Sequence, residues 1–448
     1  MASRGKWSSQ LGFILAAAGS AIGIGNIWRF PYMTGKYGGA VFLFVYLAAV
    51  VLLGLPVLIA EIAIGRATGK NPVGAFAELR PKSQWKLVGY MGVLAGMMIL
   101  SYYSLISGWT LGYFFKTLAG SLKGATTSAT PLIFDTFVRN FWLQAFLLAA
   151  FIFITGYIVS KGIAGGIEKA CKVLMPVLVV IMLILLGRAL TLPGAGKGLE
   201  FYLRPDFSKL SPRMIIDAMG QAFFSLSLGM GAMITYGSYL KKDESIPAGA
   251  AWVAALDTVT AVMAGFIIFP ALAAFGMNPA GGHPLVFHIL PVIFDQMPLG
   301  SIFGMLFFLL LGVAALASTV SLLEVVVAYC IDELKWSRGR SVLAAGSLSF
   351  LIGIPSVLSF GGVKFFQKLP LLNISFFEMM DFVWSTLALS VGALFICIFA
   401  GYVWKSAAAL KEIGRGAEKF RHGWLWTISV KYLCPALILL TLFTLAIR

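Results

Sequence analysis

The sequence predicts an all-α integral membrane protein with eleven transmembrane helices, and three observations carry that reading. The 448 residues are 59% hydrophobic and only 12% charged, where a soluble domain carries about a quarter charged residues. Mean hydropathy is +0.91. Apolar runs long enough to cross a hydrocarbon core of roughly 30 Å, about 20 residues each, fill nearly the whole chain.

Bounded by charges, glycine and proline, these runs fall at 11–35, 39–66, 86–120, 141–160, 166–190, 213–240, 246–275, 301–331, 340–357, 376–404 and 424–447. No intervening stretch is long enough to fold separately, so residues 1–448 read as one domain. The connection 276–300 contains His283, Pro284, Pro291 and Asp295 and suits a short re-entrant hairpin. Arg4 and Lys6 precede an apolar run, as in a secretory leader. Asn26 and Arg29 interrupt that run and no small-residue cleavage site follows, so it reads as the first span.

The net charge of +16 would suggest nucleic acid in a soluble chain. Its placement gives a different account. About 20 basic residues fall on the side carrying the N-terminus and about 12 on or near the other, which puts the N-terminus in the cytoplasm. An odd number of spans then puts Arg448 outside. Cys171, Cys330, Cys397 and Cys434 lie far apart in or beside apolar runs, a spacing that suits small core hydrophobes rather than a metal or disulfide framework.

Two spans are unusual inside. The first reads Ala18-Gly19-Ser20-Ala21-Ile22-Gly23-Ile24-Gly25-Asn26 and the sixth Ser225-Leu226-Ser227-Leu228-Gly229-Met230-Gly231. Close helix packing through small residues is one explanation for either alone. Found together, five spans apart, they point to an inverted repeat with a binding site at paired helix breaks. An unwound segment frees carbonyls for a cation and amides for an anion, and it survives in a membrane only where buried or lining a cavity. Hard cations take oxygen ligands. Ser20, Asn26, Ser225, Ser227, Asp257, Ser318 and Thr319 place oxygens in or near the breaks.

The run Gly23-Ile24-Gly25-Asn26-Ile27-Trp28-Arg29-Phe30-Pro31, with Ser225-Leu226-Ser227-Leu228-Gly229 and Asp332-Glu333-Leu334, resembles the signature of the neurotransmitter:sodium symporter family. The resemblance covers nearly the whole chain and is strongest to bacterial LeuT-type amino-acid transporters. It implies a five-plus-five inverted repeat, 11–190 and 213–404, with broken helices 1 and 6 and an eleventh helix at 424–447. The resemblance further implies a multi-pass cell-membrane protein, a monomer or homodimer in lipid, with no role in nucleic-acid binding or enzymatic catalysis.

Carried over by residue, the resemblance implies a first sodium site from the Ala21 carbonyl, Asn26, Ser225 and Asp257. A second would use carbonyls of Gly19, Ile22 and Ala314 and the Ser318 hydroxyl. Ala317 stands where the family usually has another oxygen-bearing side chain, which leaves one or two sodium ions open. Tyr46, Gln221 and Ser225 match chloride-site positions, but Ala261 replaces a serine. Asp257 would then serve as a built-in anion, with no chloride requirement. The substrate would meet the amides of Ala21 and Gly25, the Tyr103 hydroxyl, and Ser225. Ile99, Phe224, Ser227 and Met230 would line its side-chain pocket. Methionine at 230, where small-substrate relatives have phenylalanine, favours large hydrophobic or aromatic L-amino acids. Small aliphatic amino acids, or a sensor that binds without transporting, are the alternatives. Arg29 and Asp381, which opens the tenth span, would form an outer gate, and Arg4, Trp7, Tyr239 and Asp332 an inner one. Gly166 and Pro176 match a motif for local unwinding of the fifth span. Glu61, Glu168 and Glu324 are membrane-embedded acids whose roles the sequence does not separate; bracing the broken helices is one role for Glu61.

Overall fold

The computed structural model describes residues 5–124, 126–277, 285–417, 420 and 422–446, and among them there is no strand. Among the described residues nine unbroken helices are long and apolar enough to cross a membrane. They are Ala40–Thr68, Lys86–Leu118, Phe141–Ser160, Ile163–Leu190, Ile246–Ala274, Gly300–Asp332, Arg338–Phe360, Phe376–Val403 and Gly423–Leu445. A tenth is the bent pair Gln10–Ala21 and Gly25–Lys36, whose halves meet at 53°. The sixth expected span is divided into Pro212–Ser225 and Ala232–Gly237, halves too short to count by length, so the number eleven rests on the sequence pattern.

Burial separates the helices into inner and outer sets. The third and eighth spans, Lys86–Leu118 and Gly300–Asp332, pack against each other and each bury 83% of their most apolar stretch, against 33% for the fifth and 22% for the last. The inner pair therefore makes the wall on which the broken helices rest, and the outer helices offer apolar side chains to lipid. Serine marks the start of five spans. Ser9, Ser211, Ser245, Ser337 and Ser375 each accept a first-turn amide, and Ser375 completes a capping box with Glu378. Each such cap contributes about 1 kcal/mol.

The tenth span begins at Phe376, where the apolar run 376–404 places it, and Asp381 lies a full turn inside it rather than opening it. Elsewhere the structure departs from the sequence reading. The fifth span is continuous from Ile163 to Leu190 with Pro176 inside, so the unwinding expected between Gly166 and Pro176 is not present in this conformation. The outer connection after the seventh span contains Leu285–Ile289 and Leu290–Gln296; His283 and Pro284 lie outside the described residues. All four cysteines are buried.

On the side carrying the N-terminus, the short helix Ser406–Ile413 is tied to the second span through a buried ion pair. Arg66 Nε lies 2.9 Å from Glu412 Oε1, and the other guanidinium nitrogens donate to the Glu412 and Glu244 carbonyls. Lys242 and Arg415 also bind the Glu412 carboxylate, at 3.2 and 2.9 Å. Removing one partner of a buried pair strands the other charge, at a cost of about 3–5 kcal/mol. Glu412→Ala is therefore expected to lower the thermal midpoint of the purified protein sharply, and Arg66→Met/Glu412→Met to recover much of the loss. Equal midpoints for wild type and Glu412→Ala would show that this pair does not hold the loop.

Candidate functional site

The two breaks meet in the middle of the bundle, and their geometry follows from local sequence. In the first, the helix stops at Ala21 and restarts at Gly25. A Cβ on Gly23 would sit 2.7 Å from the Tyr103 hydroxyl and 2.9 Å from Ser318 Oγ, and one on Gly25 would sit 2.6 Å from the Phe224 ring. Glycine at both positions lets side chains of the third, sixth and eighth spans close on exposed backbone. In the second break, Ser227, Gly229 and Gly231 all have positive φ, at 54°, 84° and 75°. The alternation keeps residues 226–231 out of any helix.

Polar groups freed by the breaks find partners nearby. The Ile24 amide donates to the Tyr103 hydroxyl at 2.9 Å, and the Gly23 amide to Asn26 Oδ1 at 3.1 Å. The Ser227 hydroxyl donates to the Ser20 carbonyl at 2.9 Å, joining one break to the other. Glu61 accepts from the Gly229 amide at 2.7 Å, a direct brace on the sixth-span break. The other two acids act elsewhere. Glu168 binds the amide and hydroxyl of Ser8 and lies 2.7 Å from Lys172, while Glu324 accepts from Tyr239 at 2.6 Å and pairs with Arg338.

Two oxygen clusters flank the junction. In one, Asp257 accepts from Asn26 Nδ2 at 2.7 Å, from Ser225 Oγ at 2.7 Å and from Tyr46 at 3.4 Å; Asn26 Nδ2 is also 3.1 Å from Ser225 Oγ. Asn26, Ser225 and Asp257 are buried, and among the described residues no basic side chain pairs with Asp257. In the other, Ser318 Oγ lies 3.3 Å from both the Ile22 and Ala314 carbonyls. Ala317 faces Gly19, where a Cβ would sit 3.1 Å from the Ala317 methyl. Thr319 turns the other way and bonds Thr155 at 2.8 Å, so it brings no oxygen to this cluster.

Between the clusters lies a cavity of about 30 Å³. Ala21, Gly25, Ile99, Tyr103, Phe224, Ser225, Ser227 and Met230 all line it, as do Ser20, Gly23, Ser321 and Leu322. Ser321 escaped the sequence reading. It accepts from Ser20 at 2.7 Å and sits one turn after Ser318, a spacing that could have disclosed it. A cavity this small takes water only, so lining side chains such as Phe224 and Met230 must swing aside for anything larger.

The outer-gate pair departs from expectation. Arg29 and Asp381 are not in ion-pair contact. The Arg29 guanidinium lies over the Phe224 ring, 4.9 Å from its centroid, while Asp381 accepts from Tyr102 at 3.4 Å. Tyr102 also bonds Ser385 and so ties the third span to the tenth. Asp381 lies on the wall of a cleft of about 510 Å³ bounded by Trp28, Phe287 and Phe377. On the opposite side, Trp7 is buried against Phe13, Tyr236 and Tyr239, with its indole N–H donating to the Tyr236 carbonyl at 2.9 Å. Asp332 accepts from the amide and side chain of Asn71 at 2.9 and 3.1 Å. Arg4 lies outside the described residues.

A helical membrane protein with two broken helices around a small polar cavity is built as a transporter. Residues 4–144 and 138–448 match the sodium:neurotransmitter symporter family, and the chain belongs to that family. It is 36% identical to the uncharacterized sodium-dependent transporter YhdH of Bacillus subtilis (strain 168), over 98% of this chain and 97% of that protein. It is 28% identical to the human sodium- and chloride-dependent taurine transporter, covering 85% of this chain and 71% of that one. The crystal structure of MhsT in complex with L-phenylalanine superposes with a TM-score of 0.90 at 47% identity, over 98% of this chain and 99% of that one. The fold is thus the LeuT-type fold, and the chain is a sodium-dependent membrane transporter, not an enzyme.

The sixth-span break gives a direct test. A Cβ on Gly229 would collide with the Leu389 carbonyl, and its φ of 84° disfavours any side chain. Gly229→Ala is expected to cut folded yield or transport at least tenfold, whereas Gly220→Ala in the same span, whose Cβ would meet nothing within 4 Å, leaves folded yield intact. Normal yield and normal transport for Gly229→Ala would contradict this backbone geometry.

Proposed function

We propose that the chain imports neutral, hydrophobic or aromatic L-amino acids together with sodium ions by alternating access, without a chloride requirement. The observation that carries the reading is the buried Asp257 carboxylate, surrounded by Asn26, Ser225 and Tyr46 and lacking a basic partner among the described residues. A charge in a membrane interior needs an opposite charge or a proton. Sodium held by Asn26, Ser225, Asp257 and the Ala21 carbonyl supplies one, and beside it the substrate carboxylate is neutralised in turn. The same fixed negative charge does the work that chloride does in chloride-dependent relatives, and Ala261, also buried, offers no hydroxyl for an anion.

The substrate carboxylate would face the amides of Ala21 and Gly25 and the Tyr103 hydroxyl. Its side chain would displace Phe224 and Met230 toward Ile99. Met230 stands between two glycines with positive φ, which allows the backbone to shift as a large side chain enters. The phenylalanine bound by MhsT supports the aromatic class. Arg29 and Asp381 would close the outer cleft on entry, and Trp7, Tyr239 and Asp332, with Arg4, would release on the inside. The excess of basic residues on the N-terminal side supports a cytoplasmic N-terminus and an external C-terminus.

Stoichiometry turns on the second cluster, where Gly19, Ile22, Ala314 and Ser318 offer oxygens and Ala317 does not. One sodium ion moving down about 100 mV gains about 2.3 kcal/mol, and a tenfold gradient adds about 1.4 kcal/mol. Two ions would drive roughly 10⁵-fold accumulation of a neutral solute, and one several hundred-fold.

Uptake of labelled tryptophan, tyrosine, leucine and alanine into proteoliposomes tests the proposal. Inward sodium chloride and sodium gluconate gradients are expected to drive equal uptake, led by the aromatic or large aliphatic compounds, with choline chloride inactive. Sodium-independent binding without accumulation would favour the sensor. Asp257→Asn/Ala261→Ser is expected to make uptake chloride-dependent, at least tenfold lower in gluconate. Ala317→Thr, which restores a side-chain oxygen, is expected to lower the sodium concentration for half-maximal uptake severalfold. An unchanged sodium dependence would mean that no ion sits there.

A further inference from the structure

A second large opening lies on the lipid-facing side, away from the broken helices. A groove of about 550 Å³ runs between the fourth span (Phe141–Ser160) and the ninth (Arg338–Phe360). Its floor is where the two helices come closest. A Cβ on Gly156 would sit 3.3 Å from Val342, and one on Gly346 3.4 Å from Ile152. Phe153, Leu343 and Leu351 stand up as its walls and are well exposed, at 74%, 72% and 63%. Along the fourth span the groove runs from Ala149 to Ser160, roughly 16 Å at 1.5 Å per residue, which matches one leaflet of hydrocarbon, about 15 Å.

The charges at its end are of one sign. Ser160 and Gly339 mark the mouth on the N-terminal side, with Lys161 and Arg340 next to them in sequence. Lys161 Nζ lies 5.0 Å from the centroid of the Tyr157 ring, and the Arg340 guanidinium lies 4.4 Å over Trp336. Both are exposed, and among the described residues neither side chain is in an ion pair or hydrogen bond. Arg338, between them in the fold, is already committed to Glu324 and the Val159 carbonyl. An aromatic ring beneath each cation holds it at headgroup level.

We propose that this groove is a binding site for one anionic phospholipid, with an acyl chain between the fourth and ninth spans and the phosphate held by Lys161 and Arg340. The groove supplies an apolar channel one leaflet deep, and its mouth supplies two cations that, among the described residues, have no anionic partner. A zwitterionic lipid would fill the same channel but gain less from that mouth. The site shares no residue with the transport cavity and does not depend on the substrate assignment.

Native mass spectrometry of the purified full chain, delipidated and then equilibrated with equal amounts of phosphatidylglycerol and phosphatidylethanolamine, tests it. One phosphatidylglycerol per chain is expected to be retained in preference to phosphatidylethanolamine. Lys161→Ala/Arg340→Ala should weaken phosphatidylglycerol retention about thirtyfold, at about 1 kcal/mol per cation. Ser347→Trp, which fills the groove from one wall, should reduce retention of both lipids. Equal retention of the two lipids by wild type would overturn the proposal. So would undiminished phosphatidylglycerol binding in the variants, or a dimer that Ser347→Trp dissociates while no lipid is retained. The two variants change different surfaces, so failure of either to fold leaves the other to decide.

Discussion

A peptide group released from a helix in the middle of a membrane has no water to bond, and each unsatisfied donor or acceptor there costs several kcal/mol. Two spans of this chain are broken at that depth, and much of the surrounding side-chain arrangement is organised by the need to satisfy them. Tyr103 takes the Ile24 amide, Asn26 the Gly23 amide, Glu61 the Gly229 amide, and Ser227 joins the Ser20 carbonyl. These partners come from the first, second, third and sixth spans. The breaks are therefore held in place by packing contributed from distant parts of the sequence.

The second organising constraint is electrostatic. Asp257 carries its potential charge into the core beside these breaks, with three neutral donors and, among the described residues, no cationic side chain. Hydrogen bonds of that kind orient a carboxylate but do not neutralise it. In the proposed cycle a cation and an amino acid complete the charge balance together, which makes each the condition for the other. The reciprocal gain in affinity is the thermodynamic content of coupling.

Much of this was legible in the sequence, for physical reasons. Membrane spans announce themselves by length and apolarity, and glycine and serine runs inside them mark breaks because neither is needed in a simple lipid-facing helix. Ala21, Phe224 and Met230 reach one cavity, since breaks and flanking side chains share a short stretch of chain. The gates were less legible. Whether Arg29 meets Asp381 depends on how far the tenth span leans inward, and here Arg29 rests on Phe224 while Tyr102 bonds Asp381. The three membrane-embedded acids look alike in sequence. Only tertiary packing assigns Glu61 to a broken helix, Glu168 to the N-terminal segment at Ser8 and Glu324 to Tyr239 and Arg338. The Arg66–Glu412 pair spans most of the chain and carries no local signal at all.

If sodium and an amino acid occupy adjoining parts of one site, each raises the affinity for the other. Equilibrium binding of labelled phenylalanine to the purified protein, in sodium gluconate and in choline gluconate, tests it most directly. Sodium is expected to raise phenylalanine affinity at least tenfold without chloride, and phenylalanine to raise sodium affinity by the same factor. Phenylalanine affinity that is identical in sodium and choline would contradict it.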